Sequence, residues 1–273
     1  MTREERNAAV TTPVTPRVGS QAPSNDRTSC PSRGEEAAKP VVVLGMHRSG
    51  TSSLAGCLQE AGLYLGEVVE QAPYNARGNR ESLRIRAVND MVLEHSGGSW
   101  DNPPRVIRWD DTLRIERDNA VAAHTSRVGR WGFKDPRTVL TIDFWTEAYP
   151  DLELVGTFRH PLSVAESLRR RGGWTFGGWT LERSLALWAA YNERLLSFHA
   201  ARAFPLISFD LPRAEYLVAV TAAASQLGLA GFVSTRRLSF FSDELRHHDK
   251  PPDSQLPYDI ARLYDSLCDR SSA

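Results

Sequence analysis

The residue types best suited to chemistry lie just past a short apolar run. Val41-Val42-Val43-Leu44 ends at Gly45, and Met46-His47 leads into Arg48-Ser49-Gly50-Thr51-Ser52. Gly45 and Gly50 have the spacing of the outer glycines of a phosphate-binding loop, where backbone N–H groups and the next helix's N-terminus attract an anion. Thr51-Ser52 stand where such a loop carries its lysine and hydroxyl, and the cation comes earlier, at Arg48. A nucleoside triphosphate site uses that lysine on the β- and γ-phosphates and the hydroxyl on Mg²⁺, so the replacement disfavours a kinase or ATPase. Three further stretches carry candidate groups. Arg130-Trp131-Gly132-Phe133-Lys134-Asp135-Pro136-Arg137 ends a short strand in a lysine and a carboxylate, Arg159-His160-Pro161 precedes Ser167, and Glu81 is a carboxylate able to take a proton.

The elements that must position these groups follow from periodicity and punctuation. Four β-branched or Leu residues in a row suit a strand buried on both faces of a parallel sheet. Ser52 to Glu60 has helical spacing of Leu54, Cys57 and Leu58, and Gly62 is placed to stop it. Glu81-Ser82-Leu83 is expected to open a second helix, with Glu81 in the first turn as a partner for the helix dipole. A mostly polar helix is expected over Thr112 to Val128. Trp100 and Trp109 read as core anchors, the commoner fate of tryptophan, in preference to walls of an acceptor pocket. A helical run covers Thr138 to Tyr149. The strand Leu152 to Phe158 is followed by a helix with Pro161 at its first position, which brings Ser167, two turns on, level with Arg159. Gly172-Gly173-Trp174-Thr175 recurs as Gly177-Gly178-Trp179-Thr180 and reads as a flap. A long amphipathic helix over Leu181 to Ala201, a strand over Pro205 to Phe209 and a helix over Arg213 to Leu227 complete the series. The alternation predicts an α/β fold, a P-loop-like parallel sheet of four or five strands with helices on both faces and ligands at the strands' carboxyl ends.

In this order, Gly-Met-His-Arg-Ser-Gly-Thr-Ser at the loop, Lys134-Asp135-Pro136, and Arg159 with Pro161 and Ser167 resemble the sulfotransferases that use 3′-phosphoadenosine 5′-phosphosulfate (PAPS). The likeness extends to carbohydrate and tyrosylprotein sulfotransferases and to bacterial relatives. It covers residues 41 to 168 in three blocks and bears on the donor far more than on the acceptor. It implies that Arg48, Ser49, Gly50, Thr51 and Ser52 hold the phosphosulfate, that Lys134 lies at the sulfuryl group, and that Arg159 and Ser167 bind the 3′-phosphate. Glu81 matches the glutamate that often serves as base in that family, although Gly78-Asn79-Arg80-Glu81 lacks the aromatic residue of the bacterial version. The implied catalytic set is Glu81, Lys134 and Arg48. The implied reaction moves a sulfuryl group from PAPS, as co-substrate, to a hydroxyl or amine of a small-molecule, carbohydrate or natural-product acceptor, by in-line displacement without a metal. Two alternatives stay open: a nucleotide or small-molecule kinase, which would need ATP and Mg²⁺, and a nucleotide-binding protein without catalysis.

Composition narrows the remaining classes. With 273 residues, 41% hydrophobic and 24% charged, the chain can bury one full core, expected over residues 40–273. Residues 1–39, rich in Thr, Ser, Pro, Ala and Arg, read as a disordered tail. Lys+Arg and Asp+Glu both total 33, so overall charge recommends neither nucleic acid nor an anionic membrane as partner. Three separated cysteines and no membrane-length apolar stretch point to a reducing, cytoplasmic setting. His47, His95, His199, His247 and His248 show no metal-ligand spacing, so no metal site is expected.

Overall fold

β1 (Val41–Leu44) is buried along its whole length because it has a strand on each side and a helical layer over each face. The computed structural model describes residues 39–72, 75, 77–124, 129–171, 178–229, 238–241 and 256–271. The expected tail lies outside them except for Lys39, as does the flap from Gly172 to Gly177. β2 (Gly132–Lys134), β3 (Glu153–Phe158) and β4 (Leu206–Ser208) join β1 in one parallel sheet of order β2-β1-β3-β4. Val43 is opposite Lys134 on one side and Val155 on the other. Since all four described strands run the same way, their carboxyl ends share one edge.

The pleat divides the core. Val41 and Val43 pack with Leu54 and Leu58 of α1 (Thr51–Glu60) and with Val220 and Ala223 of α7 (Arg213–Gln226). Val42 and Leu44 belong to the opposite core, with Val88 of α2 (Leu83–His95), Leu113 of α3 (Asp111–His124) and Phe144 of α4 (Thr138–Ala148). Leu168 of α5 (Pro161–Arg171) and Trp188 of α6 (Leu181–Ala201) pack in that same core. The expected α/β architecture is therefore present, with four strands and helices on both faces. Burying each such large apolar side chain contributes about 1.5–3 kcal/mol.

α1 ends where the sequence predicts. Gly62 has φ 104°, its N–H reaches the carbonyl of Gln59, and the N–H of Leu63 reaches that of Leu58, so two carbonyls left over at the helix end are satisfied. Two expectations shift. α3 starts at Asp111 and is described to His124, and the expected continuation through Val128 lies outside the described residues. α8 (Tyr258–Cys268) has no counterpart in the sequence reading, yet Ile260, Leu263, Tyr264 and Leu267 have helical spacing and pack on the larger core. Among the described residues no helix is long and apolar enough to cross a membrane.

His124 shows how tightly the α3 end is packed against the sheet. Its Nε2 is 2.8 Å from the carbonyl oxygen of Gly132, and burial holds the imidazole below its ordinary value, opposed by that hydrogen bond. A group depressed in the folded state takes up more protons when unfolded, so stability should fall as pH drops below about 6.5. The loss should not exceed about 1.4 kcal/mol per pH unit for this one group. Urea midpoints between pH 7.5 and 5.5 should fall more for the native chain than for His124→Gln; equal slopes would assign the pH dependence elsewhere.

Candidate functional site

The loop after β1 carries backbone that side chains rarely adopt. Arg48 has φ 67° and Gly50 φ 85°, both in the left-handed region. For Arg48 that conformation costs on the order of 1–3 kcal/mol, and such strain persists where the surroundings enforce it. Gly50 is fixed by contact as well, since a Cβ there would lie 2.2 Å from the Phe209 ring. Gly50 is the residue before α1 and offers no side-chain cap, and no acidic residue stands in the first turn. The leading N–H groups of α1 are thus left without a side-chain acceptor. The Ser49 hydroxyl beside them is buried and has no hydrogen-bond partner among the described residues. An uncapped helix start next to an orphaned buried hydroxyl fits an anion. Arg48 Nε donates to Ser167 Oγ at 2.7 Å, tying the loop to α5.

Lys134, the last residue of β2, faces the same place. Its Nζ is 2.7 Å from Glu81 Oε1 and 3.4 Å from Ser52 Oγ in the first turn of α1. Lys134 is 1% exposed and Glu81 7%. The expected place of Glu81 in the first turn of a helix is corrected here, because α2 begins at Leu83 with Ser82 extended before it. Glu81 instead lies outside the helix, its carbonyl accepting from the N–H of Val69, so its carboxylate answers Lys134 and not a helix dipole. Arg80 turns the chain into that position. It has φ 55°, pairs with Glu70 at 3.0 Å and lies 4.8 Å over the Phe240 ring. Arg48 and Arg80 are the described non-glycine residues with positive φ, and each adjoins a site element. Ser52 Oγ donates to the carbonyl of Asn79, drawing this stretch onto α1.

A buried polar hub holds β2's tip against α2 and α4. Asn89 Nδ2 donates to Asp135 Oδ1 at 3.3 Å and to Thr138 Oγ1 at 3.0 Å. Its Oδ1 accepts from Thr141 Oγ1 at 2.7 Å and Trp145 Nε1 at 2.8 Å, so every polar position of the amide is used. Asp135 also accepts from the backbone N–H and the guanidinium of Arg137. Burial pushes the Asp135 carboxyl up, while the Arg137 charge pulls it down. Asp135 is marked in the sequence as the carboxylate at the strand end, and Asn89 is not reached there. The available signal was an asparagine on the apolar stripe of Ile85, Val88 and Val92.

Arg159 leaves the tip of β3, with its Nε 3.7 Å from Asp210 and its guanidinium 5.5 Å from the Phe209 ring centre. Asp210, just past β4, also accepts from the N–H of His160 at 2.6 Å, and Trp188 Nε1 donates to the Arg159 carbonyl at 3.0 Å. Ser167, expected level with Arg159, meets Arg48. Both tryptophans pack on the larger core as expected: Trp109 meets Phe144 edge-on at 5.7 Å, and Trp100 also meets His47 of the loop at 4.6 Å with the rings tilted. Among the described residues no cluster of three or more His, Cys, Asp or Glu side chains is arranged to hold a metal ion.

A family model described as the sulfotransferase family matches residues 40–212, which include the loop, Glu81, Lys134, Arg159 and Ser167. The chain belongs to the sulfotransferase family. Among solved structures, this sulfotransferase is similar to the sulfotransferase domain of the Synechococcus PCC 7002 olefin synthase, at 16% identity and TM-score 0.48, covering 85% of this chain and 96% of that one. It is similar to sulfotransferase STF1 from Mycobacterium tuberculosis H37Rv at 14% identity and TM-score 0.47, covering 85% and 77%. A third likeness is to the sulfotransferase domain of the curacin biosynthetic pathway, at 16% identity and TM-score 0.46, covering 85% and 98%. No curated protein matches the chain.

A buried ion pair adds little net stability, because desolvating two charges offsets their attraction, yet removing one partner strands the other at a cost of about 3–5 kcal/mol. Lys134→Met in this sulfotransferase should therefore lower unfolding free energy by about that amount, and Lys134→Met with Glu81→Leu should recover most of it. Denaturant titration of both variants checks this; a double variant no more stable than the single one would make the pair a support of the fold.

Proposed function

We propose that this sulfotransferase moves a sulfuryl group from PAPS to an acceptor hydroxyl or amine, with Glu81 as base. The observation that carries the proposal is the convergence of a carboxylate, an ammonium and an uncapped helix start: Glu81 and Lys134 in contact at 2.7 Å, with Ser52 of α1 at 3.4 Å from the lysine. PAPS supplies an activated sulfuryl group on a phosphate leaving group. The loop N–H groups, Ser49, Thr51 and Ser52 would receive the phosphosulfate, with Arg48 anchored on Ser167 at the loop's far side. Arg159 and Ser167 would take the 3′-phosphate. The acceptor oxygen forms the new bond to sulfur as the bond from sulfur to the 5′-phosphate oxygen breaks, and the acceptor proton passes to Glu81. The products are the sulfated acceptor and adenosine 3′,5′-bisphosphate, without change of oxidation state. Lys134 would stabilise the negative charge gathering on the leaving phosphate. With Glu81 and Lys134 in contact, base and electrostatic partner would stand aligned, which would limit reorganisation during the reaction. A cytoplasmic setting accords with Cys57 and Cys268 being free thiols.

The donor assignment is tested by calorimetry. Adenosine 3′,5′-bisphosphate should bind roughly ten to a hundred times more tightly than ADP, since a charge-assisted contact contributes about 1.5–3 kcal/mol and ADP lacks the 3′-phosphate. Arg159→Ala should erase most of that preference and leave ADP binding little changed. Equal affinities for the two nucleotides, or tighter binding of ADP with Mg²⁺, would favour a kinase. Glu81→Gln should hold bisphosphate affinity within a few-fold and slow turnover by roughly 10²–10⁴, the range for losing a general base. Near-native turnover in that variant would move the base elsewhere, with His95 and Asp101 the next carriers to replace.

A further inference from the structure

The carboxylate beside Arg159 has no role in the proposed transfer, and its charge has the wrong sign for a phosphate site. Asp210 Oδ1 is 3.7 Å from Arg159 Nε, an ion pair too long for a hydrogen bond. The other oxygen, Oδ2, accepts from the backbone N–H of His160 at 2.6 Å. His160 lies directly before α5, and its carbonyl accepts from the N–H of Val164 in that helix. On the other side, the N–H of Phe209 reaches the carbonyl of Phe158 at 2.8 Å, which ties the backbone before Asp210 to the end of β3. Tyr264 of α8 adds a third support. Its ring centre is 4.9 Å from that of His160, and it lies close enough to Asp210 for that charge to add to burial in pushing the phenol up.

A carboxylate held mainly by Arg159 would swing aside when a phosphate arrived. Asp210 is held by backbone at the exits of β3 and β4, so it stays, and a phosphate on Arg159 must share the guanidinium with a fixed negative charge. Exposure points the same way: 25% of the Asp210 side chain is open against 8% of the Arg159 side chain, so an anion entering from water comes close to the carboxylate. The His160 imidazole does not offset it, because burial holds that ring below its ordinary value despite the Asp210 charge, which leaves it neutral at pH 7.5. The tie to the His160 N–H needs an acceptor oxygen, which an amide or a hydroxyl also supplies. A full negative charge is more than that tie requires, and Arg159 is the cation it faces.

We infer that Asp210 sets the affinity for the 3′-phosphate: its fixed charge limits the grip of Arg159, so that the bisphosphate left after transfer is not held too tightly to leave. The inference rests on the donor reading, so its test starts with the native full chain. Calorimetry at pH 7.5 compares adenosine 3′,5′-bisphosphate with adenosine 5′-phosphate, which differ by the 3′-phosphate alone. The native chain should prefer the bisphosphate; no preference overturns the donor reading and the inference with it. Asp210→Asn keeps an oxygen for the His160 N–H and removes the charge. That variant should bind the bisphosphate roughly three- to tenfold more tightly, the scale of one partly screened charge, with adenosine 5′-phosphate unchanged. The gain should shrink in about 0.5 M NaCl, as screening requires and as a purely structural change would not. If Asp210→Asn does not fold, Asp210→Ser, whose hydroxyl oxygen can also accept, carries the same measurement. A folded variant with native or weaker bisphosphate affinity overturns the role of the charge while leaving the donor reading intact. An equal loss for both nucleotides does the same, and makes Asp210 a support of the fold.

Discussion

The contact between Lys134 and Glu81 is the interaction the rest of the site depends on. Two opposite charges nearly removed from water are expensive to bury, and their attraction roughly offsets that cost, so stability alone gives little reason to keep them. What the pair does is fix a carboxylate and an ammonium 2.7 Å apart at one point. The surrounding structure bears the cost of arranging this. Arg80 adopts a left-handed backbone directly before Glu81, and Asn89 commits its whole amide to holding the residues that follow Lys134. In the proposed transfer a preorganised pair of this kind would contribute because little must move when charge develops.

The parallel sheet supplies the geometry. With every described strand running the same way, each delivers a polar group to one edge: the Arg48 loop after β1, Lys134 on β2, Arg159 after β3 and Asp210 after β4. The edge is mixed in charge. Asp210 beside Arg159 and Glu81 beside Lys134 offset part of the positive field, while the start of α1 and the Ser49 hydroxyl keep an unmet demand for an acceptor among the described residues. An anion entering the loop answers that demand without displacing a side-chain cap.

Much of this was legible in the residues. An unbroken apolar run at Val41–Leu44 requires cover on both faces, and the positive φ at Gly50 and Gly62 follows from where a turn and a helix stop had to fall. Lys134 and Arg159 were placed at strand tips by Pro136 and Pro161 two residues on. Partners distant in sequence were not legible. Glu81 looked like a helix-start carboxylate because local rules know nothing of a lysine 53 residues away. The bond that the Ser167 hydroxyl accepts from Arg48, across 119 residues, is of the same kind. Trp100 packs on the core as expected, but its contact with His47 of the loop was not legible because the two come from different elements. α8 was missed for a different reason: its apolar stripe of four residues is diluted by Asp259, Asp265 and Arg262 on the outer face.

The central claim is that one sheet edge holds both ends of a 3′,5′-bisphosphorylated nucleotide against Lys134 and Glu81. A crystal structure of the full chain with adenosine 3′,5′-bisphosphate tests it most directly. The account predicts the 5′-phosphate on the N–H groups that open α1, within hydrogen-bond reach of Ser49 Oγ and Lys134 Nζ, and the 3′-phosphate on Arg159 and Ser167. A nucleotide bound away from the loop, or one whose 3′-phosphate leaves Arg159 on Asp210 and touches neither Arg159 nor Ser167, would contradict it.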